Sequence, residues 1–289
     1  SDGATHLTAE LPCEGDLAPI FVPLKPLAAL CKPDAKKIAG AVSLESDGAT
    51  ATVIVDGVIS KLPAIAVDEF PTTQDAAWQL VGVWPERPLA EAIAHVLPAA
   101  SNDETRPHLC CVAFIGDSAV ATDGHRIHIA RLPASTPEPF LLPVPAAHSL
   151  CRILTGDDAI VLARADKDLK RLKLRVRGWT LETNLVDATF PPFEQVIPRS
   201  SEVHLTVDAA QLSRAFKRLA AVSLGHGVRV SVNGAVELSA SDPTRGESKI
   251  VVTPLENDHL GEDLVLGVNP AYVIDAVGKT AQPVRLNLG

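Results

Sequence analysis

Two hydrophobic periodicities alternate along this chain. Apolar residues recur at i, i+4 and i+7 in Leu89–Val96 and in Leu212–Leu219, which is typical of amphipathic helices. Between such segments lie short aliphatic runs bounded by turn dipeptides such as Asp123-Gly124 and Arg177-Gly178, which favour strands. We predict helices at 24–31, 88–97, 144–154, 209–221 and 270–278, and strands that include Ala51–Val55, Val112–Ile115, Arg126–Leu132, Leu172–Val176, Val228–Val232 and Lys249–Val252. One helix followed by three or four antiparallel strands, repeatedly, indicates an α+β fold with helices on one side of the sheets.

The pattern repeats at long range. Pro23 and Pro143 occupy equivalent places in two similar segments 120 positions apart, and Phe70-Pro71 recurs as Phe190-Pro191 at the same offset. The two amphipathic segments are 123 positions apart. A period near 120 residues is far longer than that of solenoid repeats, so it predicts duplicated domains, the first of which is represented by its second half only.

Composition narrows the class of protein. The 289 residues are 46% hydrophobic and 21% charged, which predicts a globular chain, and no apolar run approaches the roughly 20 residues that span a bilayer. Five cysteines without a C-x-x-C pair predict neither a disulfide framework nor a zinc site. We expect a soluble protein of a reducing compartment.

No catalytic or cofactor-binding constellation is visible. The chain contains no phosphate-binding G-x-x-x-x-G-K-[ST], no G-x-S-x-G and no H-E-x-x-H. His125 and His128 lie three positions apart in a segment with strand alternation, where such residues face opposite sides, so we do not expect a metal. The sequence predicts a protein that is not an enzyme and has no cofactor.

Basic residues are sparse in a chain with a net charge of −9, which argues against broad adhesion to nucleic acid. Nevertheless Arg214, Lys217 and Arg218 share one face of a predicted helix, opposite its apolar stripe. Two interpretations remain open at this point, a phosphate-facing helix and an ordinary solvated helix face.

Several segments resemble the bacterial β sliding clamp family, the processivity subunit of the replicative DNA polymerase. The most specific is Thr122-Asp123-Gly124-His125-Arg126-Ile127, which is similar to the hairpin of the clamp's middle domain. The supporting segments are Arg106-Pro107-His108-Leu109, Asn184–Asp187, Phe190–Pro198, Gly246-Glu247 and Gly267–Val273. The resemblance extends from about Ala18 to Gly289.

This resemblance implies a DNA-clamp fold of repeated helix-plus-antiparallel-sheet half-domains that form an arc or ring. It implies an N-terminal tail at 1–17, a partial first domain at 18–73, a middle domain at 74–198 and a third domain at 199–289 that lacks its last strands. The expected partners are duplex DNA of any sequence, a clamp loader and a second copy in a head-to-tail homodimer, in the cytoplasm and associated with the nucleoid. Arg152, Arg214, Lys217 and Arg218 are expected to face the DNA.

The family also has a groove that binds short peptide motifs of polymerases and repair factors. By resemblance, the groove residues here are Arg106, Leu109, Thr122, Gly124, His125, Arg126, Ile127, Pro191, Val196, Asn269 and Tyr272. Gln195 departs from the family, which usually has a basic residue there. An alternative hypothesis is a clamp-fold module of a transcription regulator with a different N-terminal domain, such as a helix-turn-helix, and the abbreviated first domain keeps that alternative open.

Overall fold

A computed structural model describes residues 5–32, 41–66, 77–156, 158–166, 168, 170–201, 203–223, 227–233, 235–257, 264–278, 280 and 282–288. The Phe70-Pro71 landmark and the predicted boundary between 73 and 74 lie outside these residues. Of the described residues, those from Leu11 to Ala66 form one compact unit, and those up to Glu10 together with those from Ala77 onward form another.

The described residues form short strands and five helices. The strands are β1 (Thr5–Ala9), β2 (Ile20–Phe21), β3 (Val42–Ser46), β4 (Thr50–Val55), β5 (Val58–Pro63), β6 (Ile65–Ala66), β7 (Trp78–Pro85), β8 (Cys111–Ile115), β9 (Ser118–Thr122), β10 (Ile127–Arg131), β11 (Phe140–Pro143), β12 (Ile160–Asp166), β13 (Arg171–Val176), β14 (Trp179–Asn184), β15 (Val203–Val207), β16 (Val228–Asn233), β17 (Ala235–Asp242), β18 (Gly246–Val252), β19 (Glu256–Asn257), β20 (Leu264–Val268) and β21 (Val284–Leu288). The helices are α1 (Leu24–Leu30), α2 (Glu86–Val96), α3 (Val144–Ile153), α4 (Ala209–Ser223) and α5 (Pro270–Val277).

The middle repeat, from β7 to β14 and including α2 and α3, is built from two modules that exchange their first strands. Each module is a strand, a helix and three antiparallel strands, but β7 pairs with β12 of the second module, and β11 pairs with β8 of the first. The helices α2 and α3 and the inner faces of both sheets enclose one core, with Trp84, Leu89, Phe114, Leu142 and Leu150 fully or almost fully buried. Here the repeated α+β plan predicted from the sequence is confirmed.

The N-terminal segment corrects one prediction. The sequence places 1–17 in a tail, whereas Thr5–Ala9 is an edge strand that pairs antiparallel with β14 along its whole length, from Thr5 opposite Thr183 to Ala9 opposite Trp179. The amide of Glu10 extends the pairing by donating to the carbonyl of Gly178 over 2.8 Å. Because the partner strand is some 175 residues away, no local pattern signals this pairing.

The third repeat, from β15 to β21 and including α4 and α5, has its own core. In one sheet the strand order is β18-β17-β16-β20, and in another β15 lies between β19 and β21. The apolar stripe of α4, Leu212, Phe216 and Leu219, is buried against these strands, and α5 packs on α4.

The unit of residues 11–76 is one module of the same kind. The short strand β2 precedes α1, and β3, β4 and β5 form an antiparallel sheet whose buried apolar residues are Ala51, Val53 and Leu62.

The predicted helices all form, with bounds that differ from the predicted ones by at most two residues. Among the residues that the structure describes, none of these helices is long and apolar enough to cross a membrane.

Candidate peptide-binding groove

A cavity of about 610 Å³ lies beside the turn between β9 and β10. Its lining is mostly apolar, with basic and polar groups among the apolar side chains. The lining residues are Arg106, His108, Leu109, Thr122, Gly124, His125, Arg126, Ile127, Pro191, Pro192, Phe193, Gln195 and Val196. Nine of the eleven residues expected in the groove therefore surround one cavity, and Asn269 and Tyr272 are the two that do not line it.

The hairpin turn explains why the motif has these residue types. Thr122 Oγ1 donates to the carbonyl of Arg126 over 2.5 Å and accepts from the amide of Gly124. Gly124 has a φ of 92°, in the left-handed region that favours glycine. Asp123 Oδ1 accepts from the amides of His125 and Arg126, so the side chains of the motif build the turn itself.

Asp123 is held ionised by these contacts. Burial raises its pKa, but hydrogen bonds from the amides of His125 and Arg126 and from the Arg126 guanidinium outweigh that effect, so the pKa lies below its ordinary value. The negative charge at Asp123 thus stays beside the cavity at neutral pH.

Arg106 and Leu109 form another side of the cavity. Arg106 Nε donates to Asp103 Oδ2 over 2.8 Å, and its Nη1 reaches the carbonyl of Asp123 at 3.4 Å. Leu109, in a single 3₁₀ turn at Pro107–Leu109, is 5% exposed and supplies apolar surface beneath the rim. The hydrogen bonds of Arg106 connect this segment to the β9–β10 turn.

The segment after β14 supplies an exposed apolar wall. Phe190 is buried on the sheet among Cys111, Ala113, Val120 and Leu141, and its ring meets Phe193 edge to face. Beyond that anchor, Val196 is 71% exposed. The wall is therefore fixed at one end and presents aliphatic surface at the other.

Tyr272 lies on α5, next to the hairpin, and Asn269 directly precedes that helix. The Asn269 side chain accepts from the amide of Ala271 over 2.9 Å and so caps the helix. The Arg126 guanidinium lies over the ring of Tyr272, with Cζ 4.5 Å from the ring centroid. Sequence reasoning missed Asp275, whose Oδ2 accepts from Arg126 Nη1 over 2.6 Å, because a single aspartate three positions after Tyr272 carries no signal of its own.

A second cavity, of about 680 Å³, lies on the sheet of β16, β17, β18 and β20. Arg229, Ser239 and Lys249 line it, and it contains none of the residues predicted for the groove. Of the two cavities, the first has the more apolar lining.

The predicted DNA-facing cations are all exposed. Arg214, Lys217 and Arg218 project from α4 on the side opposite its buried stripe, and Arg152 is exposed in the last turn of α3. Within the described ranges none of the four forms an ion pair.

Family models match most of the chain. Residues 84–192 match the central domain of the DNA polymerase III beta subunit, and residues 194–288 match its C-terminal domain. Among curated relatives, the beta sliding clamp of Pseudomonas aeruginosa is 28% identical over 76% of this chain and 61% of its own length, and that of Escherichia coli is 25% identical over 76% and 60%. The chain thus spans about 60% of the length of these relatives.

Comparison with solved structures also shows similarity to sliding clamps. The DNA polymerase sliding clamp of Pseudomonas aeruginosa superimposes with a TM-score of 0.85 and 25% identity, over 100% of this chain and 81% of that one. A clamp from Bartonella birtlesii bound to griselimycin shares the fold, with a TM-score of 0.88 and 21% identity, over 100% of this chain and 80% of that one. With two domain models, curated relatives and structures in agreement, the chain belongs to the bacterial β sliding clamp family, the DNA polymerase III beta subunits.

Proposed function

We propose that this chain acts as a sliding-clamp-like protein that grips duplex DNA without sequence preference and tethers polymerases or repair factors through the groove. The observation that carries this proposal is the convergence of nine resemblance-derived residues, separated by up to 90 positions, on one cavity. The relatives support it by name, since they are called sliding clamps.

The cavity suits a short peptide with an aliphatic or aromatic anchor. Leu109 and Ile127 offer apolar surface within it, and Phe193 and Val196 extend that surface toward solvent. His125 and Gln195 provide polar groups for the backbone of a bound segment. A small apolar pocket with a few polar groups gives both affinity and orientation.

The cations of α3 and α4 suit DNA phosphates. Phosphate contacts carry no sequence information, so Arg152, Arg214, Lys217 and Arg218 permit binding that does not select a site. The three cations on one face of α4 also reconcile DNA binding with the net charge of −9, since only the DNA-facing surface needs to be cationic.

The rest of the proposal concerns assembly. We propose a head-to-tail homodimer placed on DNA by a clamp loader, in the cytoplasm and associated with the nucleoid. The protein acts by remaining on DNA and by holding partners there, without catalysing a reaction or using a cofactor.

Fluorescence anisotropy tests the groove. A labelled peptide copied from the C-terminal tail of a replicative polymerase is titrated with the chain, and griselimycin, which is bound in the solved Pseudomonas aeruginosa and Bartonella birtlesii clamps, serves as competitor. We expect saturable binding, competition by griselimycin, and about tenfold weaker binding for Val196→Asp, equivalent to ~1.4 kcal/mol. Val251→Asp, at an equally apolar exposed position on β18, is the matched control and should bind as wild type. Equal affinities of the two variants would contradict the proposal.

A further inference from the structure

One guanidinium joins three parts of the molecule beside the groove. Arg126 Nε lies 3.1 Å from Asp123 Oδ2, its Nη2 donates to the carbonyl of Pro98 over 2.6 Å, and its Nη1 donates to Asp275 Oδ2 over 2.6 Å. The same group lies over the ring of Tyr272. These contacts use all three guanidinium nitrogens and the face of the group.

The contacts divide between the two repeats. Asp123 and Pro98 belong to the β9–β10 turn and to the 3₁₀ turn that follows α2, so they fix Arg126 within the middle repeat. Tyr272 and Asp275 are one helical turn apart on α5 of the third repeat. Residues three apart share a helix face, and both side chains therefore meet the same guanidinium.

The environment favours a charged and ordered pair. The Arg126 side chain is 17% exposed, and that of Asp275 is 37% exposed. Burial lowers the pKa of Arg126, but the hydrogen bonds and charges of Asp275 and Asp123 outweigh burial and raise it above its ordinary value. Charge-assisted hydrogen bonds in partly buried geometry are among the stronger polar contacts in proteins.

We propose that Arg126 and Asp275 form a latch that fixes α5 against the β9–β10 turn and thereby holds the groove in its binding shape. This inference rests on the proposed peptide binding. Arg126 is then a positioning residue whose nitrogens are already engaged by the protein, and the anchoring contacts to the peptide come from the apolar lining. Asp275 is not among the residues that line the cavity, and its ion pair with Arg126 connects it to that lining.

Substitution of Asp275 distinguishes two roles of Arg126, that of a latch and that of a direct contact to the peptide. We expect Asp275→Asn to weaken binding of the labelled polymerase peptide about fivefold. Asp275→Glu keeps the charge and should retain most of the wild-type affinity. Asp117→Asn is the matched control, because Asp117 forms an ion pair with Arg131 away from the cavity, and it should leave affinity unchanged.

A double-mutant cycle gives the decisive result. With Arg126→Ala already present, Asp275→Asn should have little further effect on affinity, because the pair acts as a unit. Amide hydrogen exchange should show faster exchange at residues 124–126 and 270–277 in Asp275→Asn, with the core of the middle repeat unchanged, which also shows that the variant is folded.

The outcomes distinguish two failures. If the wild-type chain does not bind the peptide, the proposed function fails. If the wild type binds and Asp275→Asn binds equally well, or if the two substitutions are additive, the latch is wrong while the proposed groove stands.

Discussion

Arg177 Nη2 lies 2.8 Å from Oε1 of Glu86, a carboxylate that is fully buried at the first residue of α2. The same nitrogen donates to the carbonyl of Ile153 at the end of α3, and the amide of Thr155 donates to Glu86. Arg177 holds this position from a turn with a φ of 51°, an uncommon conformation for a residue with a side chain. The pair therefore ties together the ends of the two helices of the middle repeat.

Removing Arg177 should destabilise the fold. Arg177→Met leaves a buried charge at Glu86 without its counterion, and we expect the free energy of unfolding to fall by about 2 kcal/mol, less than the ~3–5 of a fully buried pair because Arg177 is about a third exposed. Urea denaturation measures the change. Arg175→Met, which removes an exposed side chain two residues away, is the control. An equal effect of both variants would show that the pair with Glu86 adds no more to the free energy of unfolding than an exposed ion pair does.

Gly82 has no room for a side chain. A Cβ there would lie 1.9 Å from the indole of Trp84, whose ring is fully buried and donates through Nε1 to the carbonyl of Ala134. We expect Gly82→Ala to lower the free energy of unfolding by about 3 kcal/mol, at the upper end of overpacking costs. Gly267→Ala, also in a strand but with open space around its Cβ, should change it by less than about 0.5 kcal/mol. A small effect at Gly82 would mean that Trp84 is packed differently.

The stack of His95 on His128 predicts an acid-sensitive stability. The ring centroids are 5.3 Å apart, and desolvation, followed by repulsion from His128, lowers the pKa of His95 in the folded protein. The neutral form is thus favoured by folding, so this contribution is complete above the unfolded pKa of about 6.5 and is lost as pH falls below it. We expect the thermal unfolding midpoint to decline as the pH falls below about 6.5, with a shallower decline in His95→Gln. Parallel pH profiles for the two proteins would exclude His95 as the cause.

Charge reversal on α4 should release DNA. Arg214→Glu with Lys217→Glu removes two of the cations proposed to face phosphates, so we expect shorter retention on circular duplex DNA and a salt dependence reduced by about two phosphate contacts. Arg164→Glu with Arg175→Glu changes the net charge equally at exposed positions on β12 and β13 and should retain the DNA. Equal losses in the two double variants would mean that net charge, not the α4 face, governs binding.

The helices and most strands were predictable because each carries a local pattern. The stripe of Leu212, Phe216 and Leu219 predicts the buried face of α4 directly. The apolar run of Val112–Ile115 predicts a strand, and the structure buries both faces of it. By contrast, β1 depends on a partner near residue 180, and the exchange of β7 and β11 between modules is visible only in three dimensions.

The sequence predicted which residues belong to the proposed groove, and most of them line one cavity, but it did not predict the contacts among them. The family resemblance predicted that Arg126 and Tyr272 both belong to the groove, and in the structure their side chains are in contact. It did not indicate that Arg126 is engaged by Asp275, since an ion pair across 149 positions depends on how α5 docks. Phe193, which lines the cavity and is held by Phe190, was missed as a site residue because an aromatic side chain after a proline is equally typical of core packing.

Photo-crosslinking tests the central claim most directly, because it reports where a peptide lies. A polymerase tail peptide with a benzophenone in place of its apolar anchor is irradiated with the wild-type chain, and the adduct is located by mass spectrometry. The account predicts adducts at 106–109 or 191–196, suppressed by excess unlabelled peptide. Adducts confined to the sheet around Arg229 and Lys249, or adducts that excess peptide does not suppress, would contradict it.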